Sequence, residues 1–207
     1  MASRTDHRRL LLLVPVGALL ALNGLVWTAR SADPRPLDRG ARLVAAPSLA
    51  SPAPTAAAVP GPIDIPEDPY APEPVVAIGT IQIPKLGLNH TLYNGVTLTV
   101  IDHGPSHWPG TALPGQPGNV VVAGHRVTHD HPFLDIDRLA PGDDVIFLVA
   151  GTRSVYRVTG TLIVRPADTW IVNPTPAATA TLYACHPKYS KAQRYVVRLA
   201  LVSSQPT

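Results

Sequence analysis

Between Val76 and Val202 the chain never sustains a regular apolar pattern for long. It is divided into short β-rich runs, Val76–Ile83, Leu88–Tyr93, Asn119–Gly124, Asp144–Ala150, Ser154–Arg165, Ala180–Cys185 and Tyr195–Val202, each bounded by Gly, Pro, Asn or Asp. Val, Ile, Thr and Tyr dominate them, the residues that suit a half-buried pleated surface. No long stretch carries the apolar stripe every 3.6 residues that marks a packed helix. Leu98–His103 and Phe133–Leu139 are expected as short helices only. Seven or eight short strands predict an all-β domain with short helices, a closed or nearly closed barrel over residues 75–207.

Two different segments precede it. Residues 1–30 place Arg4, Arg8 and Arg9 ahead of an uncharged apolar run from Leu10 to Ala29, with Trp27 near its far end. Twenty residues at about 1.5 Å each reach roughly 30 Å, the hydrocarbon thickness of a bilayer. The pattern predicts a cytoplasmic tail and a single-pass transmembrane signal anchor in the cell membrane, with the remainder extracytoplasmic. A cleaved signal peptide ending near Ala29 to Ser31 is the competing reading, and it sends the remainder to the same side. Residues 31–74 carry eleven of the 24 prolines, interspersed with Ala and Ser. That composition buries too little apolar surface to offset chain entropy, so an extended, disordered linker is expected. Its acidic end, Ile63–Pro74, leaves open a sharper reading, a segment folded back over a site.

Charge excludes one class of partner. Lys and Arg number 17 against 14 Asp and Glu, with no basic cluster, so no nucleic acid is expected. The one cysteine, Cys185, cannot form an intrachain disulfide or a multi-cysteine zinc site. It ends the run Thr181–Cys185, and Pro187 cannot donate to a sheet ladder, so the strand stops there and leaves the thiol at the barrel rim. His125 closes the run Val120–Gly124, and Arg194 opens the last strand. A thiolate attacks, an imidazole moves protons, and a guanidinium holds developing negative charge. These three are the candidate catalytic residues. His125, His129 and His131 lie close in sequence, but Pro132 and the preceding strand argue against a helix that would align two rings. No metal and no cofactor is expected.

Thr181 to Cys185 followed by Arg194 resembles the Thr-Leu-X-Thr-Cys signature and downstream arginine of sortases. Asn119 to Arg126 resembles the family's histidine segment, Ile78 to Pro84 its opening strand, and His107 to Thr111 the segment before the histidine. Pro166 to Trp170 and Cys185 to Ser190 look most like class E sortases of high-GC Gram-positive bacteria. One position departs: Ala184 stands where the signature has Thr.

The resemblance implies a membrane-anchored cysteine transpeptidase with a sortase-like closed barrel. Cys185 would attack the Thr–Gly bond of a C-terminal sorting signal, of the Leu-Ala-X-Thr-Gly or Leu-Pro-X-Thr-Gly type, and form a thioacyl enzyme. His125 would protonate the departing amine and deprotonate the incoming one, and Arg194 would bind substrate and oxyanion. The loop near Arg165–Thr179 would help choose the signal. Partners would be surface proteins bearing the signal and an acceptor amine, from a peptidoglycan precursor or, in a pilin-polymerising enzyme, a pilin lysine. The alternative of another class is a non-catalytic envelope binding module, in which Cys185 is inert packing.

Overall fold

The computed structural model describes residues 61–207. Its strands are β1 (Val76–Ile83), β2 (Leu88–Asn94), β3 (Ser106–His107), β4 (Gly118–Ala123), β5 (Asp144–Val149), β6 (Thr152–Val164), β7 (Ala178–His186) and β8 (Gln193–Pro206). They close into a barrel in the order β1-β2-β3-β4-β7-β8-β6-β5. The helices are α1 (Leu98–Ile101) and three short 3-10 segments, Pro84–Leu86, Ile136–Arg138 and Thr169–Val172. The expected all-β barrel with short helices is what the chain forms. Only β3, two residues long, escaped the sequence reading, because two residues cannot display a period of two.

Neighbouring strands are antiparallel except for β2 with β3 and β4 with β7. The parallel β4–β7 pair matters most for the site. It sets the C-terminal ends of two distant segments side by side, in a register running from Gly118 opposite Ala178 to Ala123 opposite Tyr183. Along both strands alternate residues face opposite ways. Val120, Val122, Leu182 and Ala184 enter the barrel core with Phe147 and Tyr156, whose rings meet edge to face at 5.5 Å. Val121, Tyr183 and Val196 belong to a second apolar layer on the outside, with Trp108, Ile171 and Val172. Gly79 permits the closest approach in the barrel wall, since any Cβ there would strike the Leu148 carbonyl of β5.

Two expectations about the upstream chain are corrected. Among the described residues no helix is long and apolar enough to cross a membrane, and the longest holds four residues. The transmembrane helix before the barrel, and the single-pass membrane location that rested on it, are therefore dropped. The apolar run 10–29 and residues 31–60 of the expected linker lie outside the described residues.

Residues 61–74 are not a free spacer. The Ile63 N–H donates to Pro109 O at 3.2 Å, and the Leu98 N–H donates to Pro69 O at 2.7 Å. The Trp108 indole donates to Ile63 O at 2.8 Å. The Glu73 carboxylate accepts from the Val96 N–H (3.0 Å), the Thr97 N–H (2.9 Å) and the Thr97 hydroxyl (2.8 Å). A proline-rich chain forms no helix or ladder of its own, yet each residue still offers a carbonyl acceptor. Isolated bonds to those carbonyls and to one carboxylate are enough to fasten it.

Candidate active site

Cys185 sits near the end of β7, half-buried and with a free thiol. Because Leu182 and Ala184 face the core, Tyr183 and Cys185 face outward. Directly across the β7–β8 ladder the partner of Cys185 is Arg194, and directly opposed residues share a face. The Arg194 guanidinium donates through one nitrogen to the Lys191 and Gln193 carbonyls, both at 3.0 Å, which holds it beside the turn that joins the two strands.

His125 reaches the same place from β4. The last register pair is Ala123 with Tyr183, and the Gly124 N–H donates to Tyr183 O at 3.2 Å. Two residues beyond that pair, at the same end of the adjacent parallel strands, come His125 and Cys185. Gly124 makes this possible, because a Cβ there would lie 2.6 Å from the Phe133 ring. The Phe133 N–H then donates to His125 O at 3.0 Å, fixing the turn. The three candidates from the sequence thus converge on one barrel rim.

The structure adds Asp102, which had no sequence signal, and brings His129 to His125. Asp102, the C-terminal cap of α1, places Oδ1 2.7 Å from His125 Nε2 and 3.1 Å from His129 Nε2. The two imidazoles stack with centroids 4.8 Å apart and planes 26° from parallel. No helix spans residues 125–129, as expected, but an alternative route aligns the rings: His129 takes a left-handed turn conformation, φ 51°, that folds it back over His125. Asp102, His125 and His129 bring three potential metal-ligand atoms within 4.8 Å of one another. Asp102 itself is held by α1, whose N-terminal turn is fastened by Glu73.

Arg126, only 2 % exposed, reaches the backbone at the thiol, donating to Cys185 O at 3.5 Å. It pairs with the Asp137 carboxylate, donates to His186 Nδ1 at 2.7 Å, and stands 5.8 Å over the Tyr195 ring. A guanidinium only donates, so His186 Nδ1 accepts and its ring carries the proton on Nε2. A buried guanidinium satisfied in this way ties the residues flanking Cys185 to the turn after His125. A sequence shows Arg126 merely as the neighbour of a histidine.

Leading away from the rim is the outer apolar layer, where the Tyr183 and Trp108 rings lie 6.4 Å apart. Its far wall is the β6–β7 connection with the 3-10 segment Thr169–Val172. Asn119 donates to the Ile171 and Asn173 carbonyls at 3.0 and 3.1 Å and accepts from the Thr181 hydroxyl at 2.8 Å. Arg198 donates to Thr181 Oγ1 at 2.6 Å and to Ile171 O at 3.2 Å, with its guanidinium 5.4 Å from the Trp170 ring. This satisfied polar network clamps the connection to the barrel wall. Chemically, the rim carries a thiol, an imidazole and a guanidinium beside a rigid, packed side wall.

Comparison with known proteins gives one family. A family profile described as "Sortase domain" matches residues 81–202. The curated relative Sortase SrtE1 of Streptomyces coelicolor is 29% identical over 150 residues, which are 65% of this chain and 43% of that one. Sortase D of Bacillus subtilis is 28% identical over 103 residues, half of each chain. The chain therefore spans about half the length of the curated relatives it matches. Among solved structures, sortase E from Streptomyces avermitilis is 33% identical with a TM-score of 0.58, covering 63% of this chain and 90% of that one. A sortase D5 transpeptidase from Clostridium perfringens is 29% identical with a TM-score of 0.57, covering 61% and 79%.

Proposed function

Because the chain belongs to the sortase family, we propose that it is a cysteine transpeptidase whose reaction is carried by Cys185, His125 and Arg194. Its substrate is a C-terminal sorting signal of the Leu-Ala-X-Thr-Gly or Leu-Pro-X-Thr-Gly type. The class E likeness favours the first. The Cys185 thiolate attacks the threonine carbonyl carbon, and the carbonyl oxygen becomes an oxyanion. Arg194 donates to that oxygen, where a planar fork can give two directed bonds. His125 passes a proton to the glycine nitrogen as the C–N bond breaks, leaving a thioester on Cys185. An acceptor amine from a cell-wall precursor then attacks the thioester. His125 takes its proton, the C–S bond breaks, and the thiolate is restored.

The observation that carries this reading is the register: Cys185 lies opposite Arg194, and the β4–β7 ladder ends at the Ala123–Tyr183 pair, two residues before His125 and Cys185. Asp102 supports the part assigned to His125. By occupying Nε2 it leaves Nδ1 as the nitrogen for proton transfer. The clamped Arg165–Thr179 connection suits a specificity wall for the signal.

The test is incubation of the purified full chain with peptides ending in each signal plus a small amine, with products identified by mass. Cleavage between Thr and Gly with amine incorporation is expected, and loss of both in Cys185→Ala. Turnover that survives in Cys185→Ala would overturn the assignment.

A further inference from the structure

We propose that Asp102, His125 and His129 form a binding site for a divalent transition metal, zinc by its donor set, and that zinc bound there withdraws His125 from proton transfer. The metal is a reversible inhibitor of the rim rather than a resident cofactor. Two imidazole nitrogens and one carboxylate oxygen are zinc's common ligands, and three protein ligands leave a fourth position for water. With metal–ligand bonds of about 2.0–2.2 Å, two ligands on a tetrahedral ion lie roughly 3.3–3.5 Å apart. Asp102 Oδ1 is already 2.7 Å from His125 Nε2 and 3.1 Å from His129 Nε2. All three atoms lie within 4.8 Å of one another. An opening of well under an ångström on the carboxylate side, and a closing of the two rings, therefore suffice.

The moving part is available. The His129 side chain is 43% exposed on a turn, against 17% and 21% for His125 and Asp102, so the ion enters from solvent and the ring swings onto it. In place of the His125 hydrogen bond and the His129 ion-pair contact to a shared oxygen, each ring holds its proton on Nδ1 and gives the metal its Nε2 lone pair. The functional consequence follows from counting lone pairs. A neutral imidazole has one. Once it is on the metal, His125 cannot accept the proton of an incoming amine, and transfer stops.

Only that consequence rests on the proposed role of His125; metal binding is independent of it, and the experiment separates the two. The full chain carrying Cys185→Ala, which removes the thiol as a ligand, is titrated with zinc chloride by calorimetry and with cobalt chloride by visible absorption. One saturable site is expected, with the visible bands of a four-coordinate cobalt ion. In that background His129→Ala and Asp102→Asn should each weaken binding at least about tenfold. With Cys185 intact, zinc should suppress peptide cleavage and a chelator restore it. His129→Ala should raise the half-inhibiting zinc concentration at least about tenfold, each variant being referred to its own zinc-free rate. No saturable binding, or binding unchanged in both variants, overturns the site. Saturable binding in a chain that cleaves no signal peptide leaves the metal site standing and removes the transpeptidase reading instead.

Discussion

Arg194 stands directly opposite Cys185 in the β7–β8 ladder, so the guanidinium and the thiol project from the same face of the barrel rim. Two carbonyls of the connecting turn, those of Lys191 and Gln193, hold one guanidinium nitrogen. The remaining donors of the fork make no hydrogen bond to the described residues. A lysine keeps the charge but cannot serve both tasks with a single ammonium.

Arg194→Lys is therefore expected to lose about a hundred- to a thousandfold in turnover, and Arg194→Ala at least as much. The loss should fall on kcat more than on KM. Both variants should melt like the parent, because the residue ends a strand and is only half-buried. A near-normal kcat for Arg194→Lys would show that the cation does not face the reacting carbonyl.

Asp102→Asn keeps the shape at His125 and removes the charge. A charge-assisted hydrogen bond contributes about 1.5–3 kcal/mol, and its loss corresponds to at least about tenfold in rate. kcat should fall by that factor with KM little changed. Nitrogen NMR of the His125 ring should show a redistributed tautomer population, a change that mere loosening of the fold does not produce. Unaltered ring signals would remove Asp102 as a positioning residue.

Ala184→Thr tests the departure from the family signature. On sequence grounds a strand accepts threonine readily and the fold should be unaffected, but the structure turns Ala184 into the barrel core, where it is 2 % exposed. Two added heavy atoms, one a hydroxyl, are expected to cost about 1–3 kcal/mol. The urea midpoint should fall accordingly. An unchanged midpoint would mean that the core has room at this position.

A chain beginning at residue 75 should be less stable than one beginning at residue 61. Removing Glu73 and Ile63 strips the acceptors from the Thr97 hydroxyl, two backbone N–H groups and the Trp108 indole. Thr97 is 2 % exposed, and a buried group left unpaired costs about 1–3 kcal/mol. Glu73→Ala in the full chain should reproduce much of the loss. Equal melting temperatures for the two lengths would show that the upstream segment lies on the barrel without supporting it.

Burial pushes the His107 imidazole below its ordinary range, outweighing the bond to Ala112 O. Folded His107 then stays neutral at a pH where the unfolded chain, with a value of about 6.5, already binds a proton. Below that pH the unfolded state binds more protons, so stability falls as pH drops toward the folded value. Urea midpoints should decline from pH 7.5 to pH 5.5, and the decline should be shallower in His107→Gln. An equal slope in both proteins would assign the acid sensitivity to other groups.

The strands were legible in the sequence because their signal is local. Val120 to Gly124 and Thr181 to Cys185 show their apolar character and their stops within a few residues, and Pro187 marks the rim by its missing N–H. Cys185, His125 and Arg194 were legible as candidates for the same reason, each lying at the end of a recognisable run. Their meeting was not. It depends on a parallel pairing of β4 with β7 across some sixty residues, which no short-range pattern encodes. Asp102, and the contacts that His129 and Arg126 make, were invisible because they come from distances to groups far along the chain, or from a turn with positive φ that histidine seldom adopts. Residues 61–74 read as spacer because composition reports what a segment can bury by itself, not the acceptors it can lend to a neighbouring surface. A sequence specifies which residues alternate and where a strand must stop. Closing the barrel determines which side chains then share a few ångströms, since contacts between distant segments form only when the whole wall closes.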